Sequence, residues 1–281
     1  MTAPVRIAVT VTCRNRRETT LRCLRSLMPQ QTERVTFEVW LVDDGSTDGT
    51  GPAVRSEFPQ VRVLAGTGNL FWSRGMHRAM TAAMQLPFDF ILWLNDDVVL
   101  HPDAVANALA DYGEAAAADP RQIVVGATID PHTGAITYSG FMRTHGRDPS
   151  KLRRLDPDAG QLRRCDTMNG NFVLIPRELT DTLGPVDPAF VHQLGDIDYG
   201  YRAAAHGAGI WIGRQPAGEC CANRRQMPFR QRGLTPMQRW RALDSPLGLP
   251  LRPWLTFMWR HGGAAGLLRL FLIYAARMVG R

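Results

Sequence analysis

Residues 91–100 read I-L-W-L-N-D-D-V-V-L, and no other stretch limits the fold as strongly. Phe90, Ile91, Leu92, Trp93 and Leu94 leave no polar side to face water, so residues 89–94 predict a strand buried on both faces. Asn95, Asp96 and Asp97 then stand at its carboxyl end, and His101-Pro102-Asp103 predicts a helix start with proline in the first turn. In open α/β sheets, ligands bind at that edge. Adjacent carboxylates beside a buried strand repel each other and need a cation or hydrogen-bond donors to compensate. Magnesium would serve, since it commonly takes one or two protein carboxylates while substrate phosphates fill further positions. The plainer alternative is a turn in which the aspartates cap the next helix.

The surrounding pattern agrees with such a sheet. Residues 5–12 alternate and are rich in β-branched side chains, and residues 18–27 place Leu21, Leu24 and Leu27 on one helical side. Residues 37–42 predict a second strand, which stops at the dense turn signal D-D-G-S-T-D-G-T, and residues 61–64 a third, followed by a helix over about 76–85. Alternation of strands with helices implies a mainly parallel sheet with helices on both faces. Beyond it, residues 104–118 and 178–183 predict helices, 123–129 and 172–175 strands, and 199–206 a helix ended by Gly207. Residues 138–161, with Arg143, Arg147, Lys151, Arg153 and Arg154, show little apolar periodicity and predict an irregular surface excursion over a site.

A chain of 281 residues can bury a self-sufficient core, and 44% hydrophobic with 21% charged residues excludes wholesale disorder. The net charge of +7 is uneven: residues 214–281 hold twelve arginines against Glu219 and Asp244, so +7 less +10 leaves −3 for residues 1–213. The charge break suggests a boundary near residue 213, with 214–281 as a basic extension. The five cysteines, Cys13, Cys23, Cys165, Cys220 and Cys221, form no C-x-x-C pair, which suits a reducing cytoplasm. The amino terminus lacks a signal-peptide pattern, and Arg269 and Arg277 interrupt the apolar run 262–279, which argues against a spanning helix.

The chemistry-bearing motifs narrow the function. T-C-R-N-R ends the first strand without the G-x-G-x-x-G turn of a dinucleotide site, and G-T-G-N-L-F-W-S-R-G at 66–75 lacks the Lys-Ser/Thr ending of a P-loop. That loop offers Asn69 and Arg74 to a nucleotide sugar, with Arg74 as a phosphate contact; ordinary turn punctuation is the other reading. A second acidic site, G-D-I-D-Y-G-Y-R at 195–202, puts Asp196 at a helix start. It reads either as an N-cap, with Asp198 and Arg202 solvating a face, or as a general base beside a metal-bound diphosphate.

Taken in order, V-T-V-T-C-R-N-R, L-V-D-D-G-S-T-D-G-T, W-L-N-D-D-V-V-L, L-G-P-V-D-P-A-F and G-D-I-D-Y-G-Y-R resemble a family 2 glycosyltransferase of the GT-A fold over roughly residues 5–213, and in particular bacterial rhamnosyltransferase-like polysaccharide enzymes. The resemblance implies a Rossmann-like, mixed but mainly parallel sheet flanked by helices, with a basic helical C-terminal appendage. It implies that 1–213 is a catalytic domain, with a donor half at about 1–100 and an acceptor half at about 101–213. It implies that Thr12, Arg14 and Asp44 line the nucleotide pocket, that Asp96 contacts the ribose or sugar, and that Asp97 binds Mg2+ or Mn2+ through the donor diphosphate. It makes Asp196 the base and puts Asn169 and Gly170 in the sugar and acceptor pocket. Three departures stand out. Position 14 is arginine where many relatives stack an aromatic ring, Gly195 replaces the first acid of an E-D pair, and G-E-C-C-A-N-R-R stands where many carry a metal-binding histidine. Cys220, Cys221 and Asn223 border that region without being carried over as ligands, since cysteine suits magnesium poorly.

The expected activity is a metal-dependent, inverting transfer from a dTDP- or UDP-sugar, with rhamnose suggested by the G-N-x-F-W loop, to a saccharide or polyprenyl-linked acceptor in bacterial surface-polysaccharide assembly. The rivals are a sugar nucleotidyltransferase, disfavoured by a single lysine and no triphosphate loop, and a non-catalytic protein holding nucleic acid through the tail, for which no motif is present. Arg269, Arg277 and Arg281 share a sector of a helical wheel opposite much of Leu267, Leu268, Phe271 and Leu272. That pattern fits contact with an anionic membrane surface, peripherally on the inner face of the cytoplasmic membrane, or a helix packed on the catalytic domain with its arginines in water.

Overall fold

A computed structural model describes residues 3–144, 148–223, 227–231 and 233–278. Its main sheet is built from β1 (Val5–Cys13), β2 (Val35–Asp43), β3 (Arg62–Ala65), β4 (Phe90–Leu94), β5 (Gln122–Val125), β6 (Arg163–Cys165), β7 (Phe172–Pro176) and β8 (Gly209–Ile212). The spatial order is β6-β8-β5-β7-β4-β1-β2-β3. β1 runs parallel to β2 and β4, β2 to β3, and β8 to β5. β7 is antiparallel to both β4 and β5, and β6 is antiparallel to β8. The reversal of β7 matters for the site. It pairs Phe172 with Leu94 and brings Asn171 beside Asn95, so the start of β7 shares an edge with the ends of β1 and β4.

All five residues of β4 are buried, as an all-apolar run requires. Phe90, Leu92 and Leu94 join one core layer with α1 (Arg17–Leu27), α2 (Thr50–Glu57) and α4 (Ala104–Ala115). Ile91 and Trp93 join the opposite layer with α3 (Phe71–Ala83), α5 (Arg177–Leu183) and α6 (Gly195–Ala205). Trp93 is wholly buried, edge-on to both Trp72 and Tyr199, so the strand locks α3 and α6 to each other across its own side chain.

Several expectations needed revision. The predicted strand 123–129 breaks into β5 and Thr128–Ile129, the latter belonging to a small sheet with Val99–Leu100, Gly218–Glu219 and Ile136–Tyr138. The predicted excursion at 138–161 is not irregular: Gly140–Arg143 pairs antiparallel with Leu152–Arg154 and with Thr167–Met168. Strands of two to four residues are too short to print a period-2 pattern. Arg147 lies outside the described residues. α3 begins at Phe71 rather than Met76, inside the glycine-rich segment, and α2 begins at Thr50 inside the acidic turn, where Asp48 accepts from both the Thr50 amide and hydroxyl.

The C-terminal region forms α7 (Pro236–Leu243), opened by a Thr235/Gln238 capping box, and α8 (Leu251–Met278). Gly263, at φ 56°, divides α8 into two arms that fold back on each other, with Gly266 packed directly on the Met258 backbone. Phe257, Met258, Leu270 and Tyr274 form a third core with Ile197 and Tyr201 of α6. The expected arginine sector does not face water as a unit. Arg269 pairs with Asp148 at 3.2 Å, Arg277 is half-buried, and Leu268, Phe271 and Leu272 are the exposed face instead. Arg281 lies outside the described residues.

Asp198 fastens this region to the sheet. Its carboxylate is fully buried and receives Arg202 Nε at 2.9 Å, Arg260 Nη1 at 2.7 Å and His261 Nε2 at 2.8 Å, while Arg260 Nη2 reaches Asp187 at 2.7 Å. It does not solvate a helix face. Burial works to raise its pKa, but His261, Arg202 and Arg260 outweigh burial and hold it below the ordinary aspartate value. Because the folded carboxyl titrates below the unfolded one, its stabilisation is fully present above the unfolded pKa of about 3.9 and is lost as pH falls through the lowered folded value. Asp198→Asn is expected to cost about 3 kcal/mol at neutral pH, since it leaves Arg202 and Arg260 facing a buried neutral partner. Thermal melts across pH 3–7 check both points: the wild type should lose its margin over the variant on acidification, and parallel curves would refute the assignment.

Candidate active site

One cleft of about 540 Å3 opens at the shared strand edge. Of the residues singled out above, Thr12, Arg14, Asp44, Asp96, Asp97, Asn169, Gly170 and Asp196 line it. Asn69 and Arg74 are not among its lining. Asn69 is exposed on the loop, and Arg74 Nε donates instead to the Pro188 carbonyl at 3.1 Å.

The floor comes from the ends of β1 and β4. Thr12 and Cys13 close β1, and the turn after β4 presents Asp96, which is buried, and Asp97, which is half-buried. Arg16 bridges them, with Nη1 2.7 Å from Asp96 Oδ1 and Nη2 3.1 Å from Asp97 Oδ2. Thr20 Oγ1 lies 3.5 Å from the second Asp96 oxygen. Burial, with Asp97 adding to it, pushes Asp96 up to about 7 despite Arg16. The acidic pair is therefore incompletely compensated in the ligand-free protein. Asp97 Oδ1 is buried without a hydrogen-bond partner, and the Cys220 thiol lies close to the same carboxylate. Burial and Asp97 both push that thiol up, which keeps it neutral and a poor ligand.

Asp44 does different work from the other acids. Its Oδ1 accepts the Gly68 amide at 2.7 Å, and its Oδ2 those of Leu70 at 2.9 Å and Phe71 at 3.1 Å. A single carboxylate thereby shapes the glycine-rich loop and the entry to α3. Arg14 Nη1 closes the same loop from above on the Gly68 carbonyl. Asn15, Phe71 and Leu194 are the non-glycine residues with positive φ among those described, and all three sit on or beside the cleft. Backbone strain of this kind persists where surrounding bonds over-determine it: Asp44 holds Phe71, and Ser46 with Thr47 holds Asn15.

The opposite wall comes from β7 and α6. Trp72 Nε1 donates to Asn95 Oδ1 at 2.6 Å, and Asn95 Nδ2 to Asn171 Oδ1 at 3.0 Å. A Cβ at Gly170 would run into the Trp72 ring, so glycine permits this wall to close. The Gly170 amide donates to Asp196 Oδ2 at 3.1 Å, while Ile197 N donates to Oδ1 at 2.9 Å. Asp196 occupies the first turn of α6 but does not cap it, because Leu194 is the N-cap residue. Burial pushes its carboxyl up to about 6, against those two amides. Asn169 Oδ1 is buried with no hydrogen-bond partner.

Sequence reasoning missed Arg16, Trp72 and Asn171, all of which line the cleft, while Asn95 lines it at the strand end where it was expected. A signal existed for Arg16. A buried acidic pair demands a nearby cation, and T-C-R-N-R supplies two at the facing strand end.

Glycosyl transferase family 2 matches this chain over residues 8–171. The chain belongs to that family and is a glycosyltransferase of the GT-A fold. The N-acetylglucosaminyl-diphospho-decaprenol L-rhamnosyltransferases of two Mycobacterium tuberculosis strains are each 27% identical over 202 residues, a match that spans 63% of this chain and 63% of theirs. Among solved structures, GalNAc-T7 with UDP, GalNAc and Mn2+ superposes with a TM-score of 0.61 at 16% identity, covering 86% of this chain and 48% of that one. The mannosyltransferase PcManGT from Pyrobaculum calidifontis, in complex with GDP-Man and Mn2+, gives 0.54 at 18% identity, covering 98% and 76%. At these identities the two structures establish the fold alone.

The donor set fits a divalent cation only as a shared site. No group of three or more His, Cys, Asp or Glu able to hold a metal occurs among the described residues. One buried, unbonded oxygen on Asp97 beside an under-compensated Asp96 nevertheless suits an ion that takes its remaining positions from a diphosphate and water. Arg16→Ala removes the resident cation from this pair. It should lower the melting temperature without ligand, and Mn2+ should raise the variant's melting temperature more than the wild type's. An equal response in both would show that Arg16 and the ion do not share these carboxylates.

Proposed function

We propose that this protein is a metal-dependent, inverting glycosyltransferase that moves a sugar, rhamnose being the best candidate, from a dTDP- or UDP-linked donor to a saccharide or polyprenyl-linked acceptor. Bacterial surface-polysaccharide assembly is the setting, with the protein in the cytoplasm at the membrane's inner face. Residues 1–213 act as the catalytic domain, donor half first, and 214–281 as its extension. The observation that carries the reading is that the Asp96-Asp97 pair on the floor and Asp196 on the facing wall open into one cleft. The relatives' activity as N-acetylglucosaminyl-diphospho-decaprenol L-rhamnosyltransferases supports a rhamnosyl donor and a lipid-linked acceptor.

In this reading Thr12, Arg14 and Asp44 border the nucleotide, Asp44 through the loop amides it fixes. Asp96 meets the ribose or sugar, and Asp97, with Asp96 beside it, would hold Mg2+ or Mn2+. When bound, the ion supplies positive charge to the donor diphosphate. Arg16 adds a second, permanent positive charge at the same end of the cleft. Asn169 and Gly170 face the sugar, and the unpaired Asn169 Oδ1 is a ready acceptor for a hydroxyl. Asp196 takes the proton from the acceptor hydroxyl as its oxygen bonds to the anomeric carbon. The bond from that carbon to the diphosphate oxygen breaks in the same displacement, and the nucleoside diphosphate leaves. A base with pKa near 6 is deprotonated at neutral pH yet retains more basicity than an ordinary aspartate. The two amides on its oxygens orient it without neutralising it.

Asp196→Asn preserves shape, so donor affinity should stay close to wild type while single-turnover transfer falls about 10²- to 10⁴-fold. A carboxyl raised to about 6 must lose its proton to act, so wild-type transfer should rise with pH through about 6 and then level, and the variant's residual rate should lack that limb. Near-normal transfer in the variant would reject the base. For Asp97→Ala, calorimetric titration of dTDP and UDP with and without Mn2+ should show that the metal no longer strengthens binding. Retained metal enhancement would remove Asp97 from the ion's site.

A further inference from the structure

We infer that the outer face of the α8 hairpin is a docking surface for an anionic phospholipid bilayer, seated in the interface rather than across it. The large apolar side chains exposed among the described residues all fall between positions 237 and 272. Trp259 is 60% exposed, Leu268 63% and Phe271 70%, values unusual for such residues gathered in one place. They form a continuous surface. Leu255 and Trp259, one turn apart on the first arm, line a groove with Leu267 of the second, and Phe271 lies one turn beyond Leu267. Leu268 and Leu272 widen the face.

The second arm is apolar on both of its sides. Its inner side, Gly266, Leu270 and Tyr274, is already buried, so the outer side is not a core in need of this chain. Among the described residues no helix is long and apolar enough to cross a membrane. A surface of this depth matches insertion to the headgroup boundary, where tryptophan is favoured.

Charge selects the occupant. Of the twelve arginines in residues 214–281, Arg214, Arg260 and Arg269 pair with acids elsewhere in the chain, but Arg252 lies exposed three residues before Leu255 and seven before Trp259, on their side of the first arm. A two-fold contact with a second copy would set this positive charge against its own copy, whereas lipid phosphates complement it, and guanidinium binds phosphate in bidentate fashion.

The test is sedimentation of the full chain with vesicles of phosphatidylcholine alone and of phosphatidylcholine with phosphatidylglycerol, alongside sedimentation equilibrium without lipid. Wild type should partition at least about tenfold more onto the anionic vesicles. Trp259→Ser/Phe271→Ser should lose about tenfold or more of that partition with an unchanged melting temperature, since both rings are exposed. Arg252→Glu should lose the preference for phosphatidylglycerol. Absence of wild-type partition, equal partition by the double variant, or a monomer-dimer equilibrium that the double variant abolishes would each overturn the proposal, the last assigning the face to a second copy. None of these readouts uses the sugar-transfer reaction, so the proposal and the catalytic assignment fail separately.

Discussion

The cost of keeping carboxylates out of water organises this molecule. Asp44, Asp96 and Asp198 are all buried, and each is compensated differently. Asp44 is satisfied by three loop amides, Asp198 by two guanidiniums and an imidazole, and Asp96 only partly, by Arg16 and a distant hydroxyl. A fully compensated buried acid is structural: it fixes geometry and has nothing left to offer a ligand. An under-compensated one carries an unmet demand for positive charge, and such groups concentrate where function lies. The gradation from Asp198 through Asp44 to Asp96 and Asp97 therefore separates the scaffold from the site more sharply than burial does.

The scaffold beneath the site is aromatic. Trp93 touches Trp72 and Tyr199 edge-on, Trp72 bonds Asn95, and Gly170 makes room for Trp72 while its amide holds Asp196. A single chain of contacts thus runs from the middle of β4 to both walls of the cleft. Because large buried rings repack only at several kcal/mol, the separation between the acidic pair and Asp196 is set by core packing rather than by loops. The strained residues Phe71 and Leu194 lie where those walls turn into the cleft, the places where ordinary backbone geometry would point the chain elsewhere.

How much of this was legible in the sequence depends on the range of the cause. The all-apolar β4, the alternation of β1 and the leucine spacing of α1 announce themselves because burial acts on each residue locally. The acidic pair was legible for the same reason, as charge beside an apolar run. Elements defined by their partners were not. The short strands at 140–143 and 152–154 exist because they pair with each other, and α2 grows out of a turn whose residues favour either state. Asp198 looked like a solvated helix position since its partners, Arg260 and His261, lie more than sixty residues away. Arg74 looked like a phosphate contact because its loop reads as a ligand loop; only the packing of α3 against residue 188 turns it aside. The family resemblance named eight of the residues that line the cleft, but could not supply Arg16, whose importance comes from what it neutralises here.

The C-terminal hairpin combines these themes in three consecutive residues. Trp259 points out from α8, while Arg260 and His261 reach inward to Asp198. Asp198 lies two positions after Asp196 on α6, and the residue between them, Ile197, both lines the cleft and packs into the core that α8 helps to form. The helix that exposes the apolar face is therefore the one that holds the start of α6, and the ion cluster has no slack, since all of its bonds measure 2.9 Å or less. The orientation of the first arm is set by these bonds on its inner side, and Trp259 on its outer side takes no part in them. Through Arg260 and His261, that orientation is tied to the turn of helix that carries Asp196.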